Sequence, residues 1–313
     1  MGEALVAGSV DRAGRPCLAC GMAASPITQV FCFGDSTSDN GAGFRLTSAL
    51  LGRPDAPAEA FVLAAPPAYP DGRFTNGATA VEVLAEELGA ALSDYAVGGA
   101  LSANGNYYSW IDRFEATGLL GQVDAFIAGL GRSGADPLAL YVVQLAGNDY
   151  AAWADLDVKT PAAVEEVARR VVAAECEAVR RLTLSGARRF LVIGSKNVSI
   201  CPWEVAAGRT AAAGGFTYAM SMLLPTAMSD LGAQLDVQIE YYDLVSAWHR
   251  IRVAASSYGL TEIDRPFLRT APEFVPGEGD PDEYFFWDES HVTGAVHRIL
   301  GERMASALPE SWK

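Results

Sequence analysis

"VFCFGDSTSDNG", from Val30 to Gly41, is an apolar run that stops abruptly in Gly-Asp-Ser. Residues Gln29–Phe33 read as a buried strand, and the Gly, Asp, Ser and Asn that follow are turn residues. The turn presents one small hydroxyl, Ser36, between Asp35 and Asp39. Further strands are predicted at Leu92–Val97, Leu138–Gln144, Arg189–Ile193 and Leu235–Tyr242. Between them lie helical patterns at Asn76–Gly89, Pro161–Gly186, Ala206–Leu231, Leu244–Ser257 and Ala295–Ala307. Over Val164–Leu182 apolar residues recur every three or four positions while Glu and Arg fill the other face, and Gly186 is a helix-terminating glycine. Strands alternating with helices imply parallel β-α-β units and an α/β fold whose sheet is covered on both faces.

In such a sheet ligands bind beyond the carboxyl ends of the strands. Three polar or glycine-rich clusters fall there: Gly34-Asp35-Ser36, "AVGGA" (Ala96–Ala100) and "AGNDY" (Ala146–Tyr150). The stretches Pro54–Gly72 and Arg265–Tyr284 read as two long loops. With no internal repeat or low-complexity linker, residues 28–313 are expected to form one domain behind a poorly ordered tail, 1–27.

A net charge of −15 over 313 residues, with lysine only at Lys159, Lys196 and Lys313, argues against a nucleic-acid partner. No run of about eighteen apolar residues predicts an integral membrane segment. Five scattered cysteines do not form a disulfide framework, and Cys17-x-x-Cys20 has no second pair at zinc-site spacing. No metal or cofactor is expected. The first residues lack the basic start and apolar core of a secretory signal, so the chain as given reads as cytoplasmic, or as secreted or periplasmic if a signal was removed.

A serine hydroxyl needs an adjacent base to act as a nucleophile. Of three histidines, His249 and His297 sit in helical patterns beside arginine and read as surface or helix-face residues. His291 stands in "YFFWDESHVTG" (Tyr284–Gly294), three positions after Asp288. Asp-x-x-His in one turn lets the carboxylate fix the imidazole tautomer and stabilise the imidazolium. An oxyanion hole needs donors as well. The candidates are the Ser36 N–H, the Gly99 N–H and the Asn148 amide, with Gly98 the alternative to Gly99. Their ordinary readings are a plain turn at Gly98-Gly99 and a helix cap at Asn148-Asp149.

Taken together, "FGDSTSDNG", "DYAVGGA", "QLAGNDY" and "FFWDESHVT" resemble the four blocks of the SGNH, or GDSL-type, hydrolases. "DGRFTNG" (Asp71–Gly77) and "WDESH" are similar to the branch of plant-type GDSL esterases and bacterial lipase/acyltransferases. The resemblance runs from about Val30 to about Leu308. It implies a three-layer α/β/α sandwich of flavodoxin-like type, with a mostly parallel five-stranded sheet. It also implies Ser36 as nucleophile, His291 as base, Asp288 as its orienting acid, and Ser36, Gly99 and Asn148 as oxyanion donors. The substrate implied is a small acyl ester. Departures from the pattern are Thr37 for the usual leucine, Val292 for a frequent proline, and Asp94 for an asparagine. "IGSKNVSICPW" (Ile193–Trp203) stands where relatives often carry a short proline-containing stretch, and it is a candidate lining for an acyl or leaving-group pocket.

An α/β-hydrolase would need a Gly-x-Ser-x-Gly elbow, which the sequence lacks. Two other readings remain beside the esterase. One is an acyltransferase with the same triad and an alcohol acceptor; the other is an inactive ligand-binding relative on the same scaffold. Tyr107, Tyr108, Trp110, Tyr150, Trp153, Phe286 and Trp287 are candidates for an aromatic pocket wall, against the plainer reading of core and loop anchors. Oligomeric state is not legible in the sequence.

Overall fold

A computed structural model of the chain describes residues 26–156, 161–270 and 274–313. The predicted tail to residue 25, with Cys17 and Cys20, lies outside the described residues. Ile27, within the predicted tail, is buried and donates its N–H to the Trp312 carbonyl at 3.0 Å.

Strands β1 (Gln29–Gly34), β2 (Ala91–Asp94), β3 (Leu140–Gln144), β4 (Arg189–Ile193) and β5 (Gln238–Tyr242) form one sheet in the order β2-β1-β3-β4-β5. Every pairing in it is parallel. Side chains alternate across the sheet, so each strand feeds two cores. Val30, Cys32, Leu140, Val142, Leu191 and Ile193 enter one of them. Helices α2 (Ala80–Glu87), α8 (Leu244–Val253) and α9 (Gly294–Ala307) cover that face. Phe33, Tyr141, Val143, Phe190 and Val192 enter the other core. It is covered by α3 (Leu119–Gly129), α5 (Pro161–Ser185) and α7 (Thr210–Leu235). Three layers result, and β3 and β4 are buried along their whole length.

Several predicted boundaries change. Helices α1 (Ala42–Leu51), α3 and α4 (Asn148–Ala154) lie in stretches with no predicted helix. They are short or weakly amphipathic, and packing holds them in place. The predicted helix Ala206–Leu231 corresponds to α7, which starts only at Thr210, after Gly208 with its φ of +65°, while the short helix α6 (Pro202–Ala206) ends where the prediction begins. The last strand starts at Gln238 because Leu235 still belongs to α7 and Asp236 turns left-handed. Loop 265–284 holds the end of β6 (Glu262–Pro266) and a small hairpin, β7 (Leu268–Arg269) with β8 (Val275–Pro276). Strand β9 (Tyr284–Phe286) pairs with β6 just before Asp288.

The α2–α9 contact holds the final turn of the site in place. A Cβ on Gly301 would meet the Ala80 carbonyl oxygen at 2.6 Å, so the helices touch at backbone distance. Contrary to the surface reading, His297 on α9 is buried, and its Nδ1 accepts the Ala80 N–H at 3.1 Å. An imidazole from one helix thus satisfies a first-turn donor of the other. Burial, with a contribution from nearby His291, pushes the His297 pKa down to about 3. The native ring stays neutral where an unfolded histidine takes a proton near pH 6.5. Its contribution to stability is therefore complete above about pH 6.5 and is lost as pH falls towards 3. At pH 5 the loss is about 2 kcal/mol. Urea unfolding at pH 7 and pH 5 checks this. His297→Gln keeps an acceptor for Ala80 but removes the titration, so its stability should fall less between the two pH values. An equal fall in both proteins contradicts the assignment.

Candidate active site

The two aspartates beside Ser36 are occupied by backbone. Asp35 follows β1, and its carboxylate accepts the Thr37 N–H at 3.0 Å and the Ala146 N–H at 2.7 Å, tying the end of β1 to the end of β3. Asp39 is fully buried. It accepts the N–H groups of Gly41 (2.8 Å), Ala42 (2.6 Å), Gly43 (3.0 Å) and Gly98 (2.7 Å). One carboxylate thus caps α1 and anchors the glycine block after β2. Burial pushes its pKa up to about 6 although all four amides oppose the rise. Asp94, at the head of that block, accepts the Ala96 and Asn40 amides. Burial, with the nearby Asp39 charge, pushes its pKa up to about 8 although both amides oppose the rise.

Gly34 ends β1 where a Cβ would meet the Gln144 carbonyl oxygen at 2.6 Å, so only glycine allows the strand to turn there. Beyond it, the Ser36 hydroxyl donates to Nε2 of His291 at 2.8 Å. On the other side of the ring, Nδ1–H donates to both Asp288 carboxylate oxygens, at 2.9 and 2.8 Å. Asp288 Oδ1 also accepts the Ser290 and His291 amides at 2.7 and 2.8 Å, an Asx turn that brings the residue three positions on against its own carboxylate. Oδ2 accepts the Tyr69 hydroxyl at 2.8 Å. Burial alone would raise the Asp288 pKa, but the charge and hydrogen bond of His291, with the Ser290 and Tyr69 donors, hold it below the ordinary carboxylate value. Phe74 packs on the His291 ring with centroids 5.1 Å apart.

These groups open onto a cavity of about 350 Å³ at the carboxyl rim of the sheet. Gly99 and Asn148 line it with Ser36 and His291. Gly99 has φ +80°, and a Cβ there would meet Asn106 Oδ1 at 2.4 Å. Among the described residues, neither the Ser36 nor the Gly99 N–H donates to a protein acceptor, whereas the Gly98 N–H is taken by Asp39. The Asn148 amide donates to the Ala100 carbonyl at 3.0 Å and reaches Asp35 at 3.4 Å, joining the three rim loops.

Of the predicted aromatic wall, Tyr107, Tyr108 and Tyr150 face the cavity. The others do not. Trp110 and Trp287 pack in a satellite core under loop 54–72, Phe286 in the core beneath α8 and α9, and Trp153 in the core beneath α5 and α7. The stretch Ile193–Trp203 does reach the cavity, through Lys196, Val198, Cys201 and Trp203. Sequence reasoning missed Tyr69 and Glu204. Tyr69 meets Asp288 across 219 positions of chain, and no local pattern marks it.

A hydroxyl bonded to an imidazole that is itself bonded to a carboxylate is the arrangement of a serine hydrolase. Here it sits at the topological switch point of a parallel sheet, where β1 and β3 part. Residues 30–304 match the model of the family described as GDSL-like lipase/acylhydrolase, and the chain belongs to that family. It is 27% identical over 329 residues to a GDSL esterase/lipase of Arabidopsis thaliana, covering 90% of this chain and 87% of that one. It is 23% identical over 332 residues to a phosphatidylcholine-sterol acyltransferase of Aeromonas hydrophila, covering 92% of each. Among solved structures, phospholipase A1 from Streptomyces albidoflavus aligns with a TM-score of 0.42 at 14% identity, over 90% of this chain and 98% of that one. Ester hydrolysis or acyl transfer is the class of reaction.

Proposed function

We propose that the protein is a serine esterase that cleaves small acyl esters through an acyl-enzyme on Ser36. The observation that carries this reading is the unbroken chain of hydrogen bonds from Ser36 Oγ through His291 to Asp288. Ser36 Oγ bonds to the ester carbonyl carbon while its proton passes to His291 Nε2. The oxygen of the tetrahedral intermediate takes its charge against the Ser36 and Gly99 N–H groups and the Asn148 amide, which gives up its long 3.4 Å contact with Asp35 to do so. Gly99 suits that part better than Gly98, whose N–H is already engaged. Collapse breaks the bond to the alcohol, which leaves with the proton from His291. Water then attacks the acyl-enzyme, His291 takes its proton, and Ser36 is regenerated as the acid departs. Asp288, kept ionised, stabilises the imidazolium in both halves.

A fluorophosphonate probe tests the reading. Folded protein should carry one adduct, on Ser36, and labelling should collapse in His291→Ala because the hydroxyl loses its base. Folded protein without an adduct on Ser36 favours a ligand-binding relative. Acyl transfer to an alcohol follows the same steps with the alcohol replacing water, and the Aeromonas relative supports it as the second reading. Product analysis with an added alcohol separates the two.

A further inference from the structure

Lys196 follows β4 in the stretch that departs from the family pattern, and it lines the cavity with Ser36, Ser290 and His291. The residue is 9% exposed. Its Nζ donates to the Ser290 carbonyl at 2.8 Å, and among the described residues it has no other acceptor and no ion-pair partner. An ammonium has three donors, so two remain for whatever fills the cavity. The other buried charge at the wall, Glu204, is not available to it. Its carboxylate is held by Arg209 at 2.8 and 3.0 Å and by the Tyr150 hydroxyl at 3.0 Å. A buried charge without a counter-ion is costly, and a single neutral carbonyl does not compensate it. Elsewhere the chain is strongly acidic, with a net charge of −15 and three lysines in all. One of those three stands at the catalytic cavity with no carboxylate at ion-pair distance among the described residues.

We propose that Lys196 binds an anionic group, a carboxylate or phosphate, carried by the ester substrate. This rests on the esterase reading and narrows its substrate class. The ammonium supplies a charge-assisted hydrogen bond to an oxyanion that no neutral ester offers. Its bond to the Ser290 carbonyl fixes it next to the His291 turn, within the same cavity as the scissile bond.

Two matched pairs of esters test this at constant ionic strength. On the acyl side the pair is the p-nitrophenyl monoester of adipate and p-nitrophenyl hexanoate. On the alcohol side it is p-acetoxybenzoate and the neutral p-acetoxybenzamide. In the wild type, kcat/KM for the carboxylate member should exceed that of its neutral mate in one pair, and that pair identifies the side Lys196 serves. Lys196→Met should lower the anionic-to-neutral ratio about tenfold to a hundredfold, whatever happens to the neutral ester itself, and Lys196→Arg should keep more of it. A wild-type ratio at or below one in both pairs overturns the proposal, even if Lys196→Met does not fold. An unchanged ratio in folded Lys196→Met also overturns it and leaves Lys196 only the Ser290 carbonyl to hold. Failure of the esterase reading looks different: neither member of either pair is turned over and Ser36 takes no label.

Discussion

Ser36→Ala should lower kcat/KM on a short p-nitrophenyl ester about 10⁴-fold. On the proposed mechanism the variant loses the only atom that forms the covalent bond, and Ser36 Oγ lies 2.8 Å from His291 Nε2. The alanine removes one small oxygen from a turn whose hydrogen bonds are made by Asp35 and by backbone, so the fold should survive. The residual rate reflects the oxyanion donors and substrate binding alone. His291→Ala should cost about as much. The double variant should be little worse than either, because nucleophile and base act as one unit. Steady-state kinetics on the three proteins, with thermal melts as the folding control, decide it. Near-full activity in either single variant removes the acyl-enzyme mechanism.

The second large effect is on stability. Asp39→Ala leaves four N–H groups around a fully buried carboxylate without their acceptor. Each buried donor left unsatisfied costs about 1–3 kcal/mol, and the start of α1 also loses a favourable negative charge. Even with water reaching half of them, a loss of about 4 kcal/mol is expected. Activity should fall in the protein that remains folded, because the Gly98 tether next to the proposed Gly99 donor is cut. Asp39→Asn keeps one acceptor oxygen but turns an NH2 group towards the other amides, so it should lie between alanine and wild type. Urea unfolding reads the order directly. A loss below about 1 kcal/mol for Asp39→Ala would mean the four contacts do not hold the site together.

Much of this architecture is local in origin. The strands at Gln29, Arg189 and Leu138 to Gln144 are marked by apolar residues flanked by turn residues, and the structure places them within two residues of those limits. The long α5 helix carries its period openly. Helices α1, α3 and α4 carry no such mark, since their ends are set by backbone tethers such as Asp39 and by contact with neighbouring elements. A turn at Gly208, with positive φ, delays α7 to Thr210 inside a stretch that reads as helical from Ala206.

The same division runs through the site. Ser36, Asp288 and His291 were legible because each stands in a short motif whose chemistry is local: a turn after a strand, and a carboxylate three residues before an imidazole. Their meeting across 255 positions, the Tyr69 donor on Asp288 and the burial of His297 were decided by the tertiary structure. So was the choice of three aromatics, out of seven named, that face the cavity. Periodicity and turn chemistry act over a few residues and can be read along the chain. Which side chains share a cavity, and how far burial moves a proton equilibrium, depends on contacts between segments that are distant in sequence.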